Sequence, residues 1–125
     1  MLIEDDASNI ELMRLRLESL ECEVVVATNP DDGMAAALND RPDLILADLK
    51  LGDDPTAGIV LVQALHSRPD TRDIPLVIHS IYVTHPTDAP EALPLAQGYL
   101  PKPFKFLDLK NLVDSFRAGL IGRRA

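Results

Sequence analysis

Five short and almost entirely apolar segments alternate along this chain with segments of helical periodicity. The apolar segments are residues 1–3, 23–27, 44–48, 75–80 and 98–100. Strands that read as continuous apolar runs are typical of parallel sheets, because helices cover both faces of such sheets. The alternation therefore predicts βαβ units and a doubly wound α/β fold with one five-stranded parallel sheet.

The segments between the apolar runs have the period of amphipathic helices. They are residues 8–21, 29–41, 58–68 and 106–120. Ser8 with Glu11 three residues later fits a capping box at the start of the first helix. Asn29 followed by Pro30 fits the start of the second helix, since these residue types favour the cap and the first helical position.

A further helix is expected between the fourth and fifth strands, in residues 84–97. Pro86, Pro90 and Pro94 interrupt that segment, and a proline inside a helix removes a hydrogen bond and clashes with the preceding turn. We therefore expect this fourth helix to be short or distorted.

Length and charge limit the class of protein. The 125 residues suffice for one domain, which we assign to residues 1–125 without an attached output domain. The net charge of −8 argues against direct binding of nucleic acid, which needs clustered Lys and Arg. No apolar run approaches the roughly 20 residues that span a bilayer, and no signal-peptide pattern is present. We expect a soluble cytoplasmic protein with no membrane partner.

Polar residues follow several of the predicted strands. Glu4 and Asp5 come after the first strand, Asp48 and Ser80 end the third and fourth, and Lys102 follows the fifth. In doubly wound sheets, ligands bind beyond the carboxyl ends of the strands. These side chains are therefore predicted to share one edge of the sheet.

The chemistry of this set favours Mg²⁺ and phosphoryl transfer. Carboxylates that lie close together repel one another, and a divalent cation with a preference for oxygen ligands keeps them ionised. A carboxylate can also attack phosphorus, and a lysine and a hydroxyl would then neutralise the phosphoryl oxygens. Lys102 lies between Pro101 and Pro103, which restrict the backbone, and Lys102-Pro103 is a candidate for a cis peptide bond.

In order and spacing, these motifs resemble the receiver domains of two-component response regulators. The resemblance rests on "IEDD" at residues 3–6, "DLILADLKL" at 43–51, Ser80, and "GYLPKPF" at 98–104, and it covers nearly the whole chain. It implies a CheY-like, flavodoxin-like sheet with strand order 2-1-3-4-5. It also implies a signalling protein rather than an enzyme. Such a protein assists only its own phosphorylation and dephosphorylation.

The resemblance assigns a role to each residue of the metal site. Asp48 would accept a phosphoryl group from a sensor histidine kinase or a phosphotransfer protein. Asp5 would hold Mg²⁺ directly and Glu4 through water, and Asp48 and the main-chain carbonyl of Lys50 would complete the protein ligands. Taken singly, the acidic residues after the first strand could instead complement a helix dipole.

Three further residues receive roles around the phosphoryl group. Lys102 would contact the group and Asp48, and Ser80 would donate a hydrogen bond to a phosphoryl oxygen. Tyr99 would be the aromatic switch that alters the surface read by a downstream protein partner, although an aromatic residue on this strand also fits plain packing. The three histidines lack a ligand pattern and are predicted to be structural or exposed: His66, His79 and His85.

The sequence departs from the receiver pattern in three places. The first strand has only three residues before Glu4. The segment "LKLGDDPTAG", residues 49–58, has Gly52 in place of a proline and about two extra residues. Ile81 stands where a small residue usually follows Ser80, and we expect it to narrow phosphoryl access and to slow transfer or hydrolysis.

Two other functions remain open. A pseudo-receiver would keep the fold as a protein-interaction module without phosphorylation. A small phosphohydrolase of the haloacid-dehalogenase type would also use an aspartyl nucleophile. That class carries a second Asp two residues later, where this chain has Lys50, and we discount it.

Overall fold

Five parallel strands form one sheet in the order β2-β1-β3-β4-β5. The computed structural model describes residues 1–54, 56–80 and 93–119. The strands are β1 (Leu2–Ile3), β2 (Val26–Ala27), β3 (Ile45–Ala47), β4 (Leu76–Ser80) and β5 (Gly98–Pro101). The helices of this part of the chain are α1 (Ala7–Ser19), α2 (Pro30–Asp40), α3 (Ala57–Ser67) and α4 (Phe106–Arg117). The predicted α/β fold and strand order are confirmed.

The described residues omit 81–92, so Ile81 and most of the helix predicted over residues 84–97 lie outside them. Of that predicted segment, Leu93–Leu95 form a single 3-10 turn before β5. The helix predicted over residues 106–120 corresponds to α4. None of the helices in the described ranges has the length and apolar character needed to cross a membrane.

The helix starts follow the capping chemistry of their side chains. The Asn29 side chain accepts a hydrogen bond from the Asp32 amide at 2.8 Å, and Pro30 opens α2 as predicted. At α1 the predicted capping box of Ser8 and Glu11 is wrong. Asp6 caps the helix instead, because its extended backbone lets its carboxylate accept from the Asn9 amide at 2.9 Å. Ser8 therefore lies inside the first turn.

Helices cover both faces of the sheet, as the apolar strands predicted. Residues of α2 and α3 pack against Ile3, Ile45 and Ile78 on one face. Residues of α1 and α4 pack against Leu2, Leu46 and Val77 on the other. The alternation of side chains along each strand assigns successive residues to these two cores.

The short β1 begins directly after the amino terminus. The Met1 ammonium group donates a hydrogen bond to the Leu44 carbonyl at 2.7 Å, and burial lowers its pKa. A cavity of about 530 Å³ lies beside it, at the amino-terminal edge of the sheet, and residues 21–25 and 40–44 form part of its lining. This cavity is at the opposite edge from the predicted site.

His79 is a polar residue in the core of the sheet. It is fully buried in β4, and alternation places it on the same face as Val77 and Leu46. Neither ring nitrogen has a hydrogen-bond partner in the described part of the chain. Burial, with a smaller effect from the charge of Lys102, lowers the pKa of His79 to about 3. The imidazole is therefore neutral in the folded protein.

We predict that His79 makes the protein less stable in mild acid. The ordinary pKa of 6.5 applies when the chain is unfolded and about 3 when it is folded, so the unfolded state binds more protons between these values. The free energy of unfolding then falls as the pH drops below 6.5. Between pH 7.5 and 5.5 the wild type should lose about 1 kcal/mol more than His79→Leu.

Urea denaturation at several pH values measures this difference. His66→Leu removes an exposed histidine from α3 and serves as the matched control. Parallel stability curves for the wild type and His79→Leu would contradict the assignment.

Candidate functional site

The sheet hydrogen bonds continue past the strand ends and fix the predicted site residues. The Glu4 amide donates to the Ala27 carbonyl at 3.0 Å, and the Asp48 amide donates to the Ile3 carbonyl at 3.0 Å. On the far side of β4, the Lys102 amide donates to the Ser80 carbonyl at 3.1 Å. The backbone at these positions is therefore held at one edge of the sheet, as the sequence predicted.

Lys102 joins two carboxylates at this edge. Its Nζ donates to Glu4 Oε1 at 2.7 Å and to Asp48 Oδ2 at 3.2 Å. The side chains of Lys102, Glu4 and Asp48 are 14%, 1% and 12% exposed. The Lys102-Pro103 peptide bond is cis, as anticipated from the flanking prolines. The lysine thus links β1, β3 and the end of β5 through nearly buried ion pairs.

Burial is the largest influence on the pKa values of Glu4 and Lys102. It raises the pKa of Glu4, and the hydrogen bond and charge of Lys102 offset this only in part. Burial also acts to lower the pKa of Lys102, but the hydrogen bond to Glu4 and the charges of Asp48 and Glu4 outweigh it, so the pKa is raised. The lysine is therefore held as an ammonium ion, and burial makes the negative charge of Glu4 unfavourable.

The segment after β3 supplies amides to two carboxylates. The Lys50 amide donates to Asp48 Oδ1 at 3.2 Å. Two residues later, the Gly52 amide donates to Asp5 Oδ2. The Asp5 amide donates in turn to Glu4 Oε2 at 3.1 Å. Asp5, which is exposed, is therefore tied to the rim of the site by hydrogen bonds.

Gly58 brings the start of α3 against the end of β3. Its amide donates to the Leu49 carbonyl at 2.8 Å. A Cβ at this position would lie 2.2 Å from the Asp48 carbonyl oxygen and 2.4 Å from Leu49 Cα. Only glycine permits this approach, so the backbone that carries Asp48 is fixed from both sides.

The remaining predicted residues lie around this cluster. Ser80 is fully buried at the end of β4, and Tyr99 is 37% exposed on β5. The ion pairs join Glu4, Asp48 and Lys102, while Ser80 and Tyr99 keep their roles as predictions. Sequence reasoning did not foresee the direct contact of Glu4 with Lys102, nor the contact of Gly52 with Asp5.

The donor chemistry of the site fits Mg²⁺. Glu4, Asp5 and Asp48 offer carboxylate oxygens and the Lys50 carbonyl offers another, which are the ligand types of a hard divalent cation. Within the residues that the structure describes, no three acidic, histidine or cysteine side chains are already gathered to hold a metal. An ion would have to compete with Lys102 for Glu4 and Asp48.

We predict that Lys102→Met destabilises the fold strongly, because it leaves the buried Glu4 charge without its partner. Loss of one partner of a buried pair costs about 3–5 kcal/mol. The loss should be smaller at pH 5 than at pH 8, since the raised pKa of Glu4 lets the folded protein take up a proton as the pH falls. Urea denaturation at both pH values provides the measurement.

Lys110→Met is the matched control. Lys110 pairs with Asp114 at 2.7 Å on α4, but both side chains are about half exposed, and such pairs contribute less than about 1 kcal/mol. The double variant Lys102→Met/Glu4→Gln should recover part of the loss. Equal losses in the two lysine variants would show that the pair at the sheet edge does not stabilise the fold.

Comparisons with known proteins agree with this architecture. The chain is 25% identical to the signal receiver domain of a signal transduction histidine kinase from Syntrophus aciditrophicus, over 95% of this chain and 89% of that one, with a TM-score of 0.81. The receiver domain of a sensor histidine kinase from Pseudomonas aeruginosa PAO1, solved with a magnesium ion coordinated in its active site cleft, is 23% identical over 94% of each chain, with a TM-score of 0.82.

A chemotaxis response regulator, CheY4 of Vibrio cholerae, has the same fold at 22% identity, over 92% of this chain and 94% of that one, with a TM-score of 0.81. No curated protein matches the chain. The sequence profile of the response regulator receiver domain matches residues 1–114. That match covers most of the chain, including every residue of the cluster around Lys102, and the chain therefore belongs to the response regulator receiver domains of two-component signalling.

Proposed function

We propose that this receiver domain is phosphorylated on Asp48 and passes the signal to a partner protein. The observation that carries the proposal is the contact between Lys102 Nζ and Asp48 Oδ2 at 3.2 Å, at the carboxyl edge of the sheet. This contact pairs a carboxylate nucleophile with a cation that can neutralise the charge that develops on a phosphoryl group.

Asp48 would act as the nucleophile. One of its carboxylate oxygens attacks the phosphorus atom of a phosphohistidine, a P–O bond forms, the P–N bond breaks, and the released imidazole takes up a proton from solvent. Lys102 neutralises a phosphoryl oxygen, and Ser80 is proposed to donate a hydrogen bond to another. The Lys50 amide already donates to Asp48 Oδ1 and would hold the carboxylate in position during attack.

Mg²⁺ is the proposed cofactor. Asp5, Asp48 and the Lys50 carbonyl would hold it directly, and Glu4 through water. When bound, it supplies positive charge next to the transferring phosphoryl group. We therefore propose that the domain is a phosphoacceptor that assists its own phosphorylation and dephosphorylation, rather than an enzyme.

The partners follow from the proposed chemistry. A sensor histidine kinase or a phosphotransfer protein would supply the phosphoryl group, and a downstream protein would read the altered surface. Tyr99 on β5, which is 37% exposed, is our candidate for the aromatic switch that alters this surface on phosphorylation. Phosphorylation replaces the single negative charge of the Asp48 carboxylate with a bulkier and more negative acyl phosphate, and this local change can bias a surface between two states.

A pseudo-receiver is the second candidate. It is favoured by the direct pairing of Lys102 with Glu4 at 2.7 Å, which supplies a cation to the site without Mg²⁺. In that case the cluster would stabilise a protein-interaction module and would carry no phosphoryl group.

Incubation with Mg²⁺ and acetyl phosphate separates the two candidates. We predict a mass gain of one phosphoryl group on the wild type, labile to hydroxylamine, and a tryptic phosphosite at Asp48. Asp48→Asn should show no gain, whereas Asp53→Asn, an exposed carboxylate in the following loop, should show the same gain as the wild type. A folded wild-type protein that gains no mass would contradict phosphorylation and favour the pseudo-receiver.

A further inference from the structure

A closed turn follows Asp48 in the segment that departs from the receiver pattern. The Leu51 amide donates to the Asp54 carbonyl at 3.2 Å, and the Asp54 amide donates back to Leu51 at 3.3 Å. Gly52 within this turn has φ +63°, a backbone conformation that residues other than glycine rarely adopt. Residues 51–54 therefore form a defined structure, which we call the Leu51–Asp54 turn.

Both ends of the turn are anchored. The Leu51 side chain is 4% exposed and packs in the core beneath α2 and α3. At the other end, Asp54 Oδ1 accepts hydrogen bonds from the Thr56 amide at 2.8 Å and from Thr56 Oγ1 at 2.7 Å. A turn anchored in this way can hold a group at a fixed place above the sheet edge.

The group that it holds is the Gly52 amide, which donates to Asp5 Oδ2. Lys50, two residues earlier, donates its amide to Asp48 Oδ1 at 3.2 Å. One short segment thus reaches two carboxylates from different strands. It engages one oxygen of each carboxylate, and it sets how Asp5 is placed relative to Asp48.

We propose that the Gly52 amide is a positioning group for Asp5, and that through it the Leu51–Asp54 turn sets the affinity of the site for Mg²⁺. The proposal rests on the proposed function, in which Asp5 is a metal ligand. Asp5 is exposed, so without this bond its carboxylate would have to be ordered by the ion itself. Partners of metal-binding carboxylates commonly change metal affinity by 10- to 100-fold when they are lost.

An amide-to-ester replacement at Gly52 tests the proposal. Glycolic acid in place of Gly52 removes the N–H and keeps the remaining atoms of the turn, and the same change at Asp53, on the tip of the turn, is the control. Calorimetric titration with Mg²⁺ at constant ionic strength should show roughly tenfold weaker binding for the Gly52 ester alone. The amide proton of Gly52 should also shift upfield in NMR spectra of Asp5→Ala.

A pair of ordinary substitutions gives a second measurement. A Cβ at Gly52 or at Gly119 meets no atom within 4 Å, and both residues have positive φ, +63° and +80°. Gly52→Ala and Gly119→Ala therefore introduce similar backbone strain, one beside Asp5 and one at the end of α4. Gly52→Ala should weaken Mg²⁺ binding by less than the roughly tenfold loss expected for the Gly52 ester, and Gly119→Ala should leave it unchanged.

The outcomes separate the two proposals. Mg²⁺ binding that is unchanged or tighter in the Gly52 ester, in a protein still phosphorylated on Asp48, would overturn the role of Gly52 alone. A wild-type protein that binds no Mg²⁺ would overturn the metal site together with the role of Gly52.

Discussion

The arrangement of the sheet edge depends on the two ion pairs of the Lys102 ammonium group. This group joins residues that lie 98 and 54 positions away in the sequence. Each ion pair takes charges out of water, and that cost is repaid only when the geometry is close. The pair with Glu4, at 2.7 Å and with a carboxylate only 1% exposed, meets this condition. The two longest-range contacts of the site are therefore also the ones that its buried charges require.

The backbone places these charges before any side chain does. Parallel register aligns Ile3 with Ala47 and Ala47 with Ile78, so the residues that follow each strand emerge at the same level. Gly58 then brings the start of α3 within van der Waals distance of the Asp48 backbone. The site is thus built from strand ends, whose positions the core fixes, and from the loop that follows β3.

Sequence patterns predicted the parts of the site that depend on the sheet. Alternating apolar runs were sufficient to predict a doubly wound parallel sheet, and the resemblance to receiver domains implied its strand order. Strand-end positions were sufficient to predict that Asp48 and Lys102 share one edge. The choice of Glu4 as the closest partner of Lys102 was not predictable, because it depends on side-chain reach. The Gly52 amide was also missed, since a backbone donor has no signal of its own. The alternation of side chains along β4 could have identified His79 as a core residue, because it shares a face of the sheet with Val77.

The balance of charge at the edge links the proposed chemistry to the fold. With Asp48 unmodified, a single ammonium ion serves two carboxylates, and the pKa of Glu4 is raised because burial outweighs the help that it receives. A phosphoryl group on Asp48 would add negative charge and draw Lys102 toward it. Glu4, whose side chain is only 1% exposed, would then need a proton or the positive charge of a divalent cation nearby. If Asp48 is phosphorylated as proposed, that step is coupled to the charge of Glu4, and a cation held in part by Asp5 is the component that would compensate both.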